Sequence, residues 1–366
     1  MSNKLLKSSL LLASVALALA GCGGGNSNTS ASPSGSASAE ATASATASAE
    51  APQDGKLKVV TTFYPMYEFT RQVAGEHADV TALVSAGTEP HDWEPAPKDM
   101  AQISEADVFV YHGIVEGWVD SALESAANSD RVVVRASEGI ELQEGEAHHH
   151  HGEGEEHAAE EEHAHEDEHA HEDEHAAEEA HAGEEEHGHE EESLDPHVWL
   201  DPVLAQQEVR TIEAALAQAD PEHKDDYKAN ADAYIAKLQE LDAEFGEALR
   251  NAKRKEFVTQ HAAFGYLAKR YGLTQIPISG LTPDQEPSPE EMAEVVELAK
   301  EHDVKTIFFE TLVDPKVAQT IADEIGASTD VLNPLEGLTK EEQDSNLDYL
   351  GVMRNNLEAL TKALNA

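Results

Sequence analysis

The 366-residue sequence contains a single cysteine, Cys22. One thiol makes no disulfide within the chain and no thiolate metal site, so any metal chemistry must use histidine and carboxylates. Basic charge is scarce too: 24 Lys and Arg stand against 73 Asp and Glu, a formal net charge of -49. Such a surface repels nucleic acid and attracts cations. From Lys56 onward, outside the histidine-rich tract, there is no HExxH pair, no nucleophile elbow and no P-loop, which removes the usual signatures of zinc proteases, serine hydrolases and nucleotide hydrolases. The apolar run LLLASVALALA, residues 10–20, follows Lys4 and Lys7. It is well short of the roughly 20 residues of a membrane helix and reads as a secretory signal.

That run ends in LAGC, residues 19–22, which resembles the lipobox of bacterial lipoproteins. Residues 1–22 are therefore expected to be a lipoprotein signal, with Cys22 acylated as the mature first residue and holding the protein to a membrane surface. Residues 23–55 are rich in Ser, Ala, Gly and Thr (SASAEATASATASAEA), the composition of a flexible tether.

Beyond Lys56 short β-branched runs alternate with helical patterns. Strands are expected at 56–63, 79–84, 107–112, 131–135, 256–260, 274–279, 304–310 and 329–334. Helices are expected at 64–75, 116–127, 262–271, 289–302 and 315–325. This alternation predicts an α/β protein of two lobes, 56–220 and 253–366, each with a mostly parallel four-stranded sheet flanked by helices. Tyr227, Tyr234, Leu238, Leu241, Phe245 and Leu249 place one apolar stripe along a long helix over 221–252, with Pro221 in its first turn after Asp220. That helix would be a spine joining the lobes, and the cleft between them is where a ligand site belongs.

Residues 144–192 interrupt the first lobe with 22 acidic residues, no Lys or Arg, and 13 of the chain's 20 histidines. EHAHED repeats within it, and its composition predicts a disordered surface loop. His148, His149, His150, His151, His163, His165, His169, His171 and His175 are its candidate accessory metal ligands. The plainer reading of the tract is acidic solubility, although histidine adds little charge at neutral pH.

Three histidines outside the tract fall at element ends: His91 in GTEPHDWEP, His197 in LDPHVWLDP, and His261 between EFVTQ and HAAFGYLAKRYGL. Glu310 closes the apolar strand VKTIFFE and would point into the cleft. Connections of this kind are where ligand groups gather. His112, in YHG, reads as a polar residue near the cleft.

EPHDWEP, DPHVWLDP, HAAFGYLAKRYGL, GLTPDQEPSPEEM and FFETLVDPKVAQTIADEIG, in this order, resemble the successive motifs of the zinc-binding lipoproteins of bacterial metal ABC transporters, the ZnuA/AdcA type. The resemblance covers about 56–366 and implies one metal held between two α/β lobes bridged by a long helix. It implies His91, His197, His261 and Glu310 as ligands, Zn(II) as the transported ion, and a membrane permease as partner. An extracytoplasmic, lipid-anchored monomer with no catalytic role is expected. Three features depart from the family pattern: the loop is often shorter in relatives and is unusually acidic here, the second-lobe disulfide of some relatives is impossible with one cysteine, and His112 stands where Asn is common.

Three imidazoles and one carboxylate make a four-coordinate N₃O site suited to zinc. Harder ions such as Mn²⁺ favour oxygen donors, whereas Cu²⁺ and Ni²⁺ also take imidazole. The alternatives are a manganese or iron carrier of the same family, a surface metal buffer or adhesin in which the tract itself is the functional part, and a secreted metallohydrolase. The tract is expected to be an accessory zinc collector or sensor.

Overall fold

The β-branched runs form two four-stranded parallel sheets in a computed structural model that describes residues 55–145 and 194–366. Cys22, the signal, the tether and the candidate ligands between His148 and His175 lie outside the described residues. The first sheet contains β1 (Leu57–Thr61), β2 (Ala78–Ala82), β3 (Val108–Tyr111) and β4 (Val132–Arg135), in the order β2-β1-β3-β4. The second contains β5 (Glu256–Thr259), β6 (Thr274–Pro277), β7 (Thr306–Phe309) and β8 (Ser328–Val331), in the order β6-β5-β7-β8. Each sheet starts from an inner strand and changes its winding direction beside it. A crevice opens beyond the strand carboxyl ends at that switch point.

Crossover helices cover the first sheet: α1 (Tyr64–Ala74), α2 (Pro97–Glu105) and α3 (Val119–Ser125). From Leu194 the chain makes one 3₁₀ turn over Val198–Leu200 and forms α4 (Pro202–Ala219). Asp201 caps α4 by accepting from the Val203 amide (2.8 Å), and Pro202 fits a first turn where no amide proton is needed.

The long helix α5 runs over Lys224–Leu249. It starts later than Pro221 because the Asp220 carboxylate is committed to the corner. That carboxylate accepts from the His223 ring (2.5 Å) and the Tyr227 hydroxyl (2.9 Å), so Pro221 lies in a turn. The second sheet is flanked by α6 (Gly265–Tyr271), α7 (Pro289–Glu301) and α8 (Lys316–Ile325), followed by α9 (Lys340–Asp344) and α10 (Tyr349–Asn365).

The stripe of α5 is buried as its spacing implies, from Tyr227 through Leu238 and Phe245 to Leu249. It belongs to one continuous apolar cluster that includes Val59 and Val110 of the first sheet, Phe257 and Phe308 of the second, and Met353 of α10. Arg270 on α6 adds a polar tie, its Nε donating to both oxygens of Asp201 (3.0 and 2.8 Å). Both lobes therefore share this cluster, and each also has one of its own, with Ile103, Phe109 and Val119 in the first lobe and Val258, Ile307 and Ile321 in the second. Among the described residues no helix is long and apolar enough to cross a membrane.

Candidate metal site

Four side chains converge beyond the carboxyl ends of the strands. His91 is in the loop after β2, His197 immediately precedes the 3₁₀ turn, His261 is two residues past β5, and Glu336 is in the loop after β8. Their ligand atoms all lie within 4.8 Å of one another. The Nε2 atoms of His91, His197 and His261 stand 2.9, 3.2 and 3.3 Å from the same atom, Glu336 Oε1. His197 and His261 are fully buried and Glu336 nearly so, whereas His91 retains some exposure.

Two of the imidazoles are oriented from behind. His197 Nδ1 donates to Asp195 Oδ1 (2.7 Å), which also accepts from the His197 amide (2.9 Å). His261 Nδ1 donates to Glu310 Oε1 (2.6 Å), and that oxygen accepts from the His261 amide (3.1 Å). A carboxylate only accepts, so the Nδ1 proton is fixed there and the Nε2 lone pair is left for an ion. Asp195 is itself held by position: the Tyr266 hydroxyl donates to its carbonyl (2.9 Å). A Cβ at Gly265 would come within 2.8 Å of Asp195 Oδ2, so glycine leaves room for this carboxylate.

Glu310, expected as the fourth ligand, stands one layer out. It follows β7 directly, and the oxygen it turns toward the site is taken up by the two His261 protons, so Glu336 occupies the fourth corner. Glu336 follows Leu335, whose φ is +60°, in the buried stretch 332–338. Three bonds brace this bend: Trp199 Nε1 donates to the Pro334 carbonyl (2.8 Å), the Leu335 amide to Asn333 Oδ1 (2.7 Å), and the Gly87 amide to the Leu338 carbonyl (2.9 Å). The sequence signal was NPLEG, a turn after the last strand. The expected strand at 329–334 stops one residue short of that bend.

The electrostatics suit an ion that displaces protons. Burial opposes a charge on His197, but Asp195 and Glu336 outweigh it and raise its pKa. Burial opposes the charge on His261 as well, and Glu310 with Glu336 raises that pKa well above 6.5. Burial would push Glu336 up, yet the His261 charge and the three imidazole bonds hold it well below 4.5. Protons on His197 and His261 beside a charged Glu336 are thus what an incoming ion would displace.

His112 is outside this group. It is fully buried, edge-on to Trp199 at 5.2 Å between ring centroids, with Nε2 3.6 Å from Glu208 Oε1. Burial, helped by His197 and Arg135, lowers its pKa to about 3.

Two parallel α/β lobes on one rigid helix, with three imidazoles and a carboxylate in the cleft, define the class of two-lobed metal-binding proteins. Residues 59–363 match the family described as zinc-uptake complex component A, periplasmic, and the chain belongs to this ZnuA family. It is 50% identical over 310 residues to the high-affinity zinc uptake system protein ZnuA of Bacillus subtilis, covering 84% of this chain and 88% of that protein. It is 44% identical over 308 residues to the zinc-binding protein AdcA of Streptococcus pyogenes, covering 84% of this chain but only 56% of AdcA. The crystal structure of the Zn(II)-bound ZnuA-like domain of Streptococcus pneumoniae AdcA matches with a TM-score of 0.65 and 40% identity, over 85% of this chain and all of that domain.

Proposed function

We propose that this protein captures Zn²⁺ outside the cytoplasm and delivers it to the permease of an ABC transporter, bound by His91, His197, His261 and Glu336. The observation that carries this reading is the convergence of three imidazole Nε2 atoms on Glu336 Oε1, with two of the rings locked by Asp195 and Glu310. Four protein donors leave no open position for a substrate or activated water, which favours carriage over catalysis. Three nitrogens to one oxygen favour zinc over manganese. The family match and the zinc-uptake relatives support the same reading. The lipobox supports attachment at Cys22, a monomer suffices to build the site, and the His-rich tract serves as an accessory collector.

Chelator-competition calorimetry on the chain with and without residues 147–192 tests it. One tight zinc site is expected in both, lost in His261→Ala. If tight binding vanishes with the tract, the protein is a surface metal buffer.

A further inference from the structure

A cavity of about 750 Å³ opens against His91, the one ligand with some exposure. Arg135, at the end of β4, lines it, and among the described residues its guanidinium pairs with no carboxylate; Nε donates only to Ser137 Oγ (3.3 Å). Its stem lies on Gly113, where φ is +116° and a Cβ would come within 2.3 Å of Arg135 Nε. The arginine is thus laid along a groove that only glycine provides. Tyr111, Thr282 and Gln285 line the same cavity, and no hydrogen bond of theirs engages the hydroxyls or the amide side chain among the described residues.

Glu116 and Asp120 line the cavity too, but Glu116 is buried and accepts from the Thr62 hydroxyl and the His112 and Gly113 amides, which leaves Asp120 as the exposed carboxylate of the lining beside Arg135, in a chain of net charge -49. At Arg135 itself, a positive charge with no carboxylate partner among the described residues favours an anionic group over a bare dication. Guanidinium forks match carboxylates, and hydroxyl and amide donors complete such recognition. We infer that this vestibule binds a small carboxylate chelator, so that zinc reaches His91 as an anionic complex, with the carboxylate on Arg135 and the ion handed on to the imidazoles. This rests on the zinc-carrier reading above and names the form in which the cargo arrives.

The test uses citrate as the probe and the full chain, as wild type, Arg135→Gln, Arg135→Lys and Gln285→Ala. Zinc affinity is first measured in a non-chelating buffer, where all four proteins should agree, since none of these residues is a ligand. Loading is then followed by stopped-flow tryptophan fluorescence from zinc citrate at matched free zinc. Wild type should load at least tenfold faster than Arg135→Gln, with saturation in the citrate complex, and Arg135→Lys should recover part of the difference. Equal rates in wild type and Arg135→Gln, with zinc affinity intact, would overturn the vestibule proposal alone. Absence of zinc binding in the first measurement would overturn the carrier reading instead. If citrate acts only after residues 146–193 are deleted, the chain's own acids fill the cavity and the proposal fails.

Discussion

At the scale of residues, the two layers of carboxylate separate by experiment. Glu310→Gln keeps an acceptor for His261 but loses charge, and roughly a 10- to 100-fold loss of zinc affinity is expected. Glu336→Ala removes the proposed fourth ligand and should cost more than Glu310→Gln in the same chelator competition. Acid sensitivity follows from the raised pKa values of His197 and His261. Their folded pKa values exceed 6.5, so zinc competes with protons from above that pH, and affinity falls as pH falls through the raised values. Calorimetry at pH 7 in buffers of different ionisation enthalpy should record between one and two protons released per zinc; no release would contradict the imidazolium cluster. His91, His197 and His261 were legible because each sits among Pro, Trp or strand-end punctuation. Glu336 was not, because its position depends on the left-handed Leu335 and on bonds from Trp199 and Gly87, which no local pattern encodes.

At the scale of elements, the repeated strand order puts His112 directly after β3 and Glu310 directly after β7, equivalent places in the two sheets. One lobe uses that place to orient a ligand; the other buries a neutral imidazole beside Glu208, whose own pKa burial raises well above 4.5. Below pH 6.5 the unfolded His112 takes up a proton that the folded one refuses until about pH 3. Stability contributed here is therefore lost as pH falls, by about 1.4 kcal/mol per unit. In zinc-free urea titrations at pH 7.5 and 5.0, His112→Asn should lose less stability than wild type by about 2 kcal/mol. Trp199 links His197 to the Glu336 bend, so Trp199→Phe, which strands the Pro334 carbonyl, should cost about 1–3 kcal/mol. It should also speed zinc release in stopped-flow chelation, whereas an unchanged release rate would make the tryptophan merely structural. All eight strands were readable from β-branched runs between turn residues. The helices α2, α4, α9 and α10 fell outside the expected set. The start of α5 was misplaced because Asp220 binds His223 and Tyr227 instead of capping a helix at Pro221.

At the scale of the whole molecule, the shared core decides how the protein unfolds. Two lobes in sequence suggest two units, but side chains of both sheets meet along α5 in one apolar cluster. Burial across that seam is invisible in a strand–helix pattern, since it depends on which faces meet. Denaturant unfolding of the metal-free protein should give one transition by both tryptophan fluorescence and circular dichroism. Zinc at a thousandfold its dissociation constant should add about 4 kcal/mol to that same transition, because the proposed ligands come from both lobes. Two separated transitions would show that the lobes are independent. The antiparallel bridge between Glu144 and Leu194 has a different bearing. It brings together Glu144 and Leu194, on either side of the histidine-rich tract, just before the chain reaches Asp195. For a flexible loop, each doubling of length adds only about 0.6 kcal/mol of closure cost. Removing one EHAHED repeat should therefore leave zinc affinity at the Glu336 site unchanged in the same chelator competition.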